Sequence, residues 1–249
     1  MTRMLPPFET DDAVRQTIKE RLGDLICPFF GCRITREQLV LASVGSNTFR
    51  AYQTTKYRPS SLFRTWAIDS LGMQSDCYRA LVGLKDSDDV RRLHALLVCS
   101  LQLFWRNNEH AELPYYKIRK LVDLFIKFVT LWDCDERHKH TPDPFGVLKR
   151  YTNVPLDSFT LNAIRTIATQ RNIYIPNGAS MGYVNHQNYD AIQRCIRVAV
   201  GEFPPLYFDL VSWDREHPNV RSEFVRRAQT GQLKPAVHGL LCKQPAGII

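Results

Sequence analysis

The sequence predicts a mostly helical, all-α fold, a helical bundle with few or no strands, on three observations. Apolar residues recur at three- and four-residue spacing through the long segments, which is the stripe of an amphipathic helix. Helix-starting residues stand just ahead of those stripes. Strand signals are few and short, no internal repeat of roughly 20 to 50 residues exists, and no glycine-rich strand-to-helix turn of the nucleotide-binding kind is present.

From Asp11 to Ile26, Val14, Ile18, Leu22 and Leu25 form one stripe, and the CPFFGC run then ends that helix. Thr35 with Gln38 makes a capping-box start for a short helix through Val44, and Gly45, Ser46 and Asn47 form a turn. Residues 46–66 read as a loop with a short helix after Pro59. Ser87, followed by Asp88 and Asp89, caps a long helix to about Trp105, with Val90, Leu93, Leu97, Leu101 and Phe104 on one face and acid at the favourable end. A second long helix spans about Tyr115 to Trp132 and is apolar on nearly every side, so it belongs inside the bundle. The polar DCDERHKHTPDP loop follows it. Further helices run from Asp157 to about Gln170 and from about His186 to Val200, with IYIPNGASMGY between them as a loop or one short extended segment.

The chain has 249 residues, within reach of a single helical domain over 1–249, divided at most into two lobes with a cleft near residues 150–215. Its richest apolar run, Leu121 to Trp132, is interrupted by Asp123 and Lys127, which predicts no membrane span. No apolar leader follows the early Arg3, and the seven cysteines are odd in number and scattered. Both features predict a cytoplasmic protein with reduced thiols. Thirty-three Lys and Arg against 25 Asp and Glu give a net charge of +8, which favours polyanions over acidic partners.

The most informative stretch is YTNVPLDSFTLNAIR, Tyr151 to Arg165. A constrained Val-Pro-Leu run delivers Asp157 to a helix start, where a carboxylate accepts free backbone N–H groups. In one reading Asp157, or Ser158, is simply the cap. In the other, the carboxylate is a fixed anion that stabilises a cationic transition state or orients a nucleophile, because the helix dipole and the N–H bonds favour the charged form.

Val154-Pro-Leu-Asp157-Ser-Phe-Thr-Leu, with Arg165 after it, resembles the segment that presents the essential aspartate in helix-hairpin-helix DNA glycosylases. The resemblance implies a DNA-glycosylase-like helical bundle in which Asp157 faces the sugar of a flipped nucleotide. No L-P-G-V-G hairpin precedes Asp157, no lysine nucleophile stands at the expected distance, and no four-cysteine cluster follows. Leu-Asp-Ser-Phe-Thr-Leu, Ser180-Met-Gly-Tyr183 and Tyr207-Phe-Asp-Leu-Val-Ser-Trp-Asp214 are similar to a divergent branch of that superfamily from bacteriophages with hypermodified thymine. That branch is thought to join amino acids or polyamines to pyrophosphorylated hydroxymethyluracil in DNA. The resemblance therefore implies double-stranded DNA with modified bases as one partner and an amine or amino acid as co-substrate.

An enzyme that works on a base extrudes it from the stack and holds it between aromatic or apolar groups, so cations and aromatics should interleave. Arg50, Lys56, Arg58 and Arg64 alternate with Tyr52, Tyr57 and Phe63, suited to phosphate contact and base stacking; the plainer reading is a solvated loop with some aromatics in the core. Arg165 is a further candidate cation. In the 204–214 run, Asp209 and Trp213 are four apart and share a face if the segment is helical. Asp209 is then a candidate base or amine ligand and Trp213 a stacking residue; otherwise Asp209 satisfies a nearby helix end.

Asp123, Lys127 and Thr130 form a polar stripe on the 115–132 helix, with the two charges placed to pair at i and i+4. Such a stripe ordinarily faces solvent; buried, it makes Lys127 a site candidate. Cys134, His138 and His140 have metal-ligand types but lack a fourth ligand nearby, so no metal is expected, and no cofactor is implied. His186 and His217 read as lone surface or core residues. No G-x-S-x-G, H-E-x-x-H or Walker sequence occurs, which removes several hydrolase and NTPase classes. The sequence thus predicts a base-flipping transferase centred on Asp157, Asp209 and Lys127, with N-glycosidic cleavage and DNA or RNA binding without chemistry as the alternatives.

Overall fold

The computed structural model describes residues 5–26, 36–43, 48–52, 54, 56–131 and 144–216. Its helices are α1 (Asp11–Ile26), α2 (Arg36–Ser43), α3 (Pro59–Ser70), α4 (Asp76–Val82), α5 (Ser87–Glu109), α6 (Tyr115–Leu131), α7 (Pro144–Tyr151), α8 (Ser158–Gln170), α9 (Tyr189–Val200) and α10 (Leu206–Glu216). Short 3-10 turns lie at Thr48–Ala51 and Met181–Tyr183. No strand occurs among the described residues, so the fold is all-α as the sequence predicts, and 173–183 is loop with that one turn. Among the same residues no helix is long and apolar enough to cross a membrane. Thr35, Cys134, His138, His140 and His217 lie outside the described residues.

Two apolar cores form. The first gathers α2 to α6 and Leu148 of α7 around Phe63, Trp66, Leu93, Leu97, Leu101, Trp105 and Phe125. The second gathers Phe8, α1, α8, α9, α10 and the 173–184 loop around Ile18, Ile164, Tyr189, Ile196 and Phe208. The first helix in the chain thus packs with the last ones. The extended stretch before it is laced onto α8: the Phe8 N–H donates to the Ala163 carbonyl (3.0 Å), the Asn162 amide to the Leu5 carbonyl (2.8 Å) and Gln170 to the Glu9 carbonyl (3.0 Å).

Helix α5 starts one residue earlier than the acid-rich run suggests. Asp86, not Ser87, is the N-cap, accepting from the backbone N–H groups of Asp88 (2.8 Å) and Asp89 (2.9 Å). Its predicted stripe is buried, and His94 joins it. Helix α9 begins at Tyr189 rather than His186, since residues 186–188 form a turn. The sequence reading missed α4, which Ser75 caps through the Tyr78 N–H (3.0 Å), and α7.

Helix α6 decides how the lobes meet. Ile118, Leu121, Val122, Phe125, Ile126 and Val129 point into the first core. Lys120, Asp123, Lys127 and Thr130 fall on the opposite side at 3.6 residues per turn. That polar side is not solvated: Asp123, Lys127 and Thr130 are all buried, Asp123 completely. The helix is amphipathic rather than apolar all round, and its polar face looks toward α8, α9 and α10.

Candidate functional site

The segment between α7 and α8 has no regular neighbour for its backbone, and α9 supplies one. The Gln193 side chain accepts from the Val154 N–H (3.0 Å) and donates to the Val154 carbonyl (2.7 Å), satisfying both buried groups with one amide. Pro155 has no N–H to satisfy. Arg197, one turn on, donates to the Asn153 side chain (3.0 Å). The approach to Asp157 is thereby fixed from two points on one helix.

Asp157 is the N-cap of α8, in extended backbone conformation (φ −125°, ψ −174°), and is only 4% exposed. Its Oδ1 accepts from the Phe159 N–H (3.0 Å), the Thr160 N–H (3.1 Å) and the Thr160 hydroxyl (3.3 Å). Its Oδ2 accepts from the Trp213 indole N–H (3.1 Å) and stands 3.8 Å from the Lys120 ammonium. One oxygen is spent on the helix end, while the other meets a donor and a cation from α10 and α6. Trp213 also lies edge-on to Phe159, with centroids 4.7 Å apart. Lys120, Phe159 and Trp213 are all half-buried, so the carboxylate sits just beneath an aromatic and cationic rim.

Asp209 is completely buried on α10 and pairs with Lys127 of α6. This replaces the Asp123–Lys127 pair that the i, i+4 spacing suggests, because a bond between two helices uses the stripe's inward direction better than one along a single helix. Asp123 turns instead to α9, where the Tyr189 hydroxyl is 2.8 and 2.9 Å from its two oxygens, and to His94 of α5, whose Nδ1 is 3.5 Å away. Burial pushes the Asp123 carboxyl up to about 8, against the Tyr189 hydrogen bond and the Arg119 charge; nearby Asp209 pushes it further up. Burial pushes His94 down to about 3, helped by Arg119 and Arg197. At neutral pH the Asp123–His94 contact is therefore between two neutral groups rather than an ion pair. The Arg119 guanidinium lies over the rings of Tyr189 (5.1 Å) and Tyr115 (5.3 Å).

The structure thus brings Asp157, Asp209, Lys127 and Trp213 into one seam between the two cores, and Asp209 and Trp213 do lie on a helix. It does not bring the 46–66 candidates there. Tyr52 is a core residue: its hydroxyl donates to the Lys117 carbonyl (3.0 Å), its ring packs on Phe49 and Trp105, and burial raises its pKa. Tyr57 packs half-buried against the first core beneath Lys56. The loop itself is pinned, since the N–H groups of Lys56 (3.1 Å) and Tyr57 (2.7 Å) both donate to the buried Glu109 carboxylate at the end of α5. Lys56 and Arg58 are exposed, Arg64 is half-buried with its guanidinium pushed down by burial, and the Arg50 side chain lies outside the described residues. Trp213 is half-buried and its indole N–H donates to Asp157. Arg165 is half-buried on α8, and His186 is exposed with its ring tilted against Tyr115 (centroids 3.7 Å apart, 41° between planes).

Lys120, His94, Tyr189 and Gln193 were missed by sequence reasoning. Lys120 had a signal, because it stands two turns before Lys127 on the same face. Among the described residues no group of three or more His, Cys, Asp or Glu is placed to hold a metal ion. Site and fold together define, among the described residues, an all-α protein with two cores and a buried polar seam holding the acidic side chains of Asp123, Asp157 and Asp209. Comparison with family models, with curated proteins and with solved structures returns no match to this chain.

Proposed function

We propose that the chain modifies a nucleobase in DNA, drawing one nucleotide out of the duplex and reacting it beside Asp157. What supports the reading is one arrangement: a carboxylate at a helix start, with one oxygen held by backbone and hydroxyl donors and the other aimed at Lys120 beneath an aromatic rim. A preorganised anion of this kind needs no reorganisation when positive charge develops beside it.

The preferred reaction is transfer of an amine, from an amino acid or polyamine, onto a pyrophosphorylated hydroxymethyluracil. The amine nitrogen forms a bond to the exocyclic methylene carbon while the carbon–oxygen bond to pyrophosphate breaks, and pyrophosphate leaves with the electron pair. Asp157 Oδ2 orients the amine and takes its proton; Lys120 offsets the leaving charge. N-glycosidic cleavage uses the same carboxylate beside a cationic sugar. Binding without chemistry is favoured by a different fact, that every contact of Asp157 named above is internal, as for a structural cap.

The products discriminate. The protein is incubated with duplex DNA carrying thymine, hydroxymethyluracil or its pyrophosphate ester, with and without amines, and the DNA is digested to nucleosides and weighed. A nucleoside heavier by one amine, appearing only with the pyrophosphate ester, is the expected result. A lost base indicates the glycosylase reaction, and unchanged masses in every DNA exclude both.

A further inference from the structure

Lys56, Arg58 and Arg64, nominated by the sequence for phosphate contact, lie on the first lobe and Arg165 on α8, but a further group of cations lines a cleft elsewhere. The C-terminal ends of α7 and α9 converge with the turn into α10, enclosing about 450 Å³ lined by Lys149, Arg150, Arg197, Tyr151, Phe203 and Glu202, among others. Basic residues in a helix's last turn offset the negative end of its dipole, and this accounts for each cation singly. It does not account for three of them sharing one cleft with a single carboxylate on its lining. Among the described residues no carboxylate lies within ion-pairing distance of Lys149, Arg150 or Arg197. Lys149 lies over the Tyr207 ring (5.3 Å), and Arg197 is held by the neutral Asn153 side chain (3.0 Å).

Arg197 is half-buried, and burial pushes its guanidinium down; Tyr189 and Asp190 oppose this, and Arg194 and Arg91 add to it more weakly. A half-buried cation in a cleft, with no carboxylate of the described residues at ion-pairing distance, gains from an anion that joins it there. Tyr151 and Phe203 are half-buried beside it and give the cleft an apolar wall.

We propose that this cleft is a binding site for a phosphate group, held by Arg197, Lys149 and Arg150, on either the backbone of a nucleic acid or a small phosphate ester. Bidentate guanidinium contact and a point ammonium suit phosphate oxygens. Arg197 grips Asn153, four residues before Asp157, so an occupant of the cleft bears on the segment that presents that carboxylate. Phosphate binding in the cleft does not depend on Asp157 chemistry.

The test uses the full chain with two probes, a short fluorescent DNA duplex and inorganic pyrophosphate, each titrated over a range of salt. Arg150 is exposed and without a partner among the described residues, so Arg150→Gln should fold normally; Arg197→Gln and Lys149→Gln are the companions, and Lys85→Gln on the first lobe is the control. For a backbone site, each cleft variant weakens duplex binding several-fold and lowers the slope of log affinity against log salt by about 1, while the control changes neither. For a small-ester site, the variants weaken pyrophosphate binding and leave the duplex unaffected. The proposal is overturned if neither probe binds at low salt, or if Arg150→Gln and Arg197→Gln bind both probes as the unaltered protein does.

Discussion

Asp123 shows how one side chain links burial to pH. Its carboxyl titrates near 8 in the fold against about 3.8 for an ordinary aspartate, so between those values the folded chain keeps a proton that the unfolded chain releases. The sign is therefore fixed: this contribution is present below about pH 4 and is lost as pH rises toward 8. His94 works in the opposite direction, because its depressed pKa costs stability only as pH falls below about 6.5. Between pH 6.5 and 8 Asp123 acts alone of the two. Stability measured by urea unfolding should fall by up to about 1.4 kcal/mol per pH unit through this group. Asp123→Asn, which keeps an acceptor for Tyr189, should flatten that slope; an unchanged slope would show that Asp123 is ionised in the fold. The sequence made Asp157, Asp209, Lys127 and Trp213 legible because each follows a local rule of cap, spacing or composition. It gave no access to His94 or Tyr189, whose roles come from contacts between helices far apart in the chain.

At the scale of elements, α6 and α9 organise the seam. Lys127 of α6 and Asp209 of α10 are 10% and 0% exposed at their side chains, so removing one of them takes the ion pair from a buried charge. Lys127→Met should cost about 3–5 kcal/mol in chemical denaturation, and adding Asp209→Leu should recover most of it. If the double variant is no better than the single one, the pair is not what makes Lys127→Met costly. Gln193 on α9 is the second test. Gln193→Leu orphans the buried N–H and carbonyl of Val154, at about 1–3 kcal/mol each. A loss below about 1 kcal/mol would mean that the segment finds other partners. Helices α5 and α8 were readable because an acidic cap precedes a long stripe. Helices α4 and α7 are seven and eight residues long, too short for a stripe to stand out. The inward face of α6 was misread for a related reason: periodicity reveals that a stripe is polar but not what it faces.

The whole molecule combines these parts in a chain whose first segment closes the last lobe and whose central helix belongs to both cores. The sequence shows that the fold is helical and that the net charge is positive, but charge totals carry no address. Lys56, Arg58 and Arg64 stand on the first lobe, whereas Lys149, Arg150 and Arg197 gather where two helix ends converge, a juxtaposition that only tertiary structure creates. The functional account rests on Asp157 as a reacting anion rather than a cap alone, and Asp157→Asn separates these roles. Asparagine keeps the cap through its Oδ1 but turns an amide NH2 toward the Trp213 N–H and Lys120, so the variant should fold with a stability lower by about 1–3 kcal/mol, and rates are compared well below its unfolding midpoint. The most direct measurement is the single-turnover rate of nucleoside conversion by the protein and by Asp157→Asn on pyrophosphorylated hydroxymethyluracil duplex with saturating amine. The account predicts a rate lower by about 10²-fold or more in the folded variant, the range seen when a positioned proton acceptor is removed. Equal rates would contradict it and leave Asp157 a structural cap.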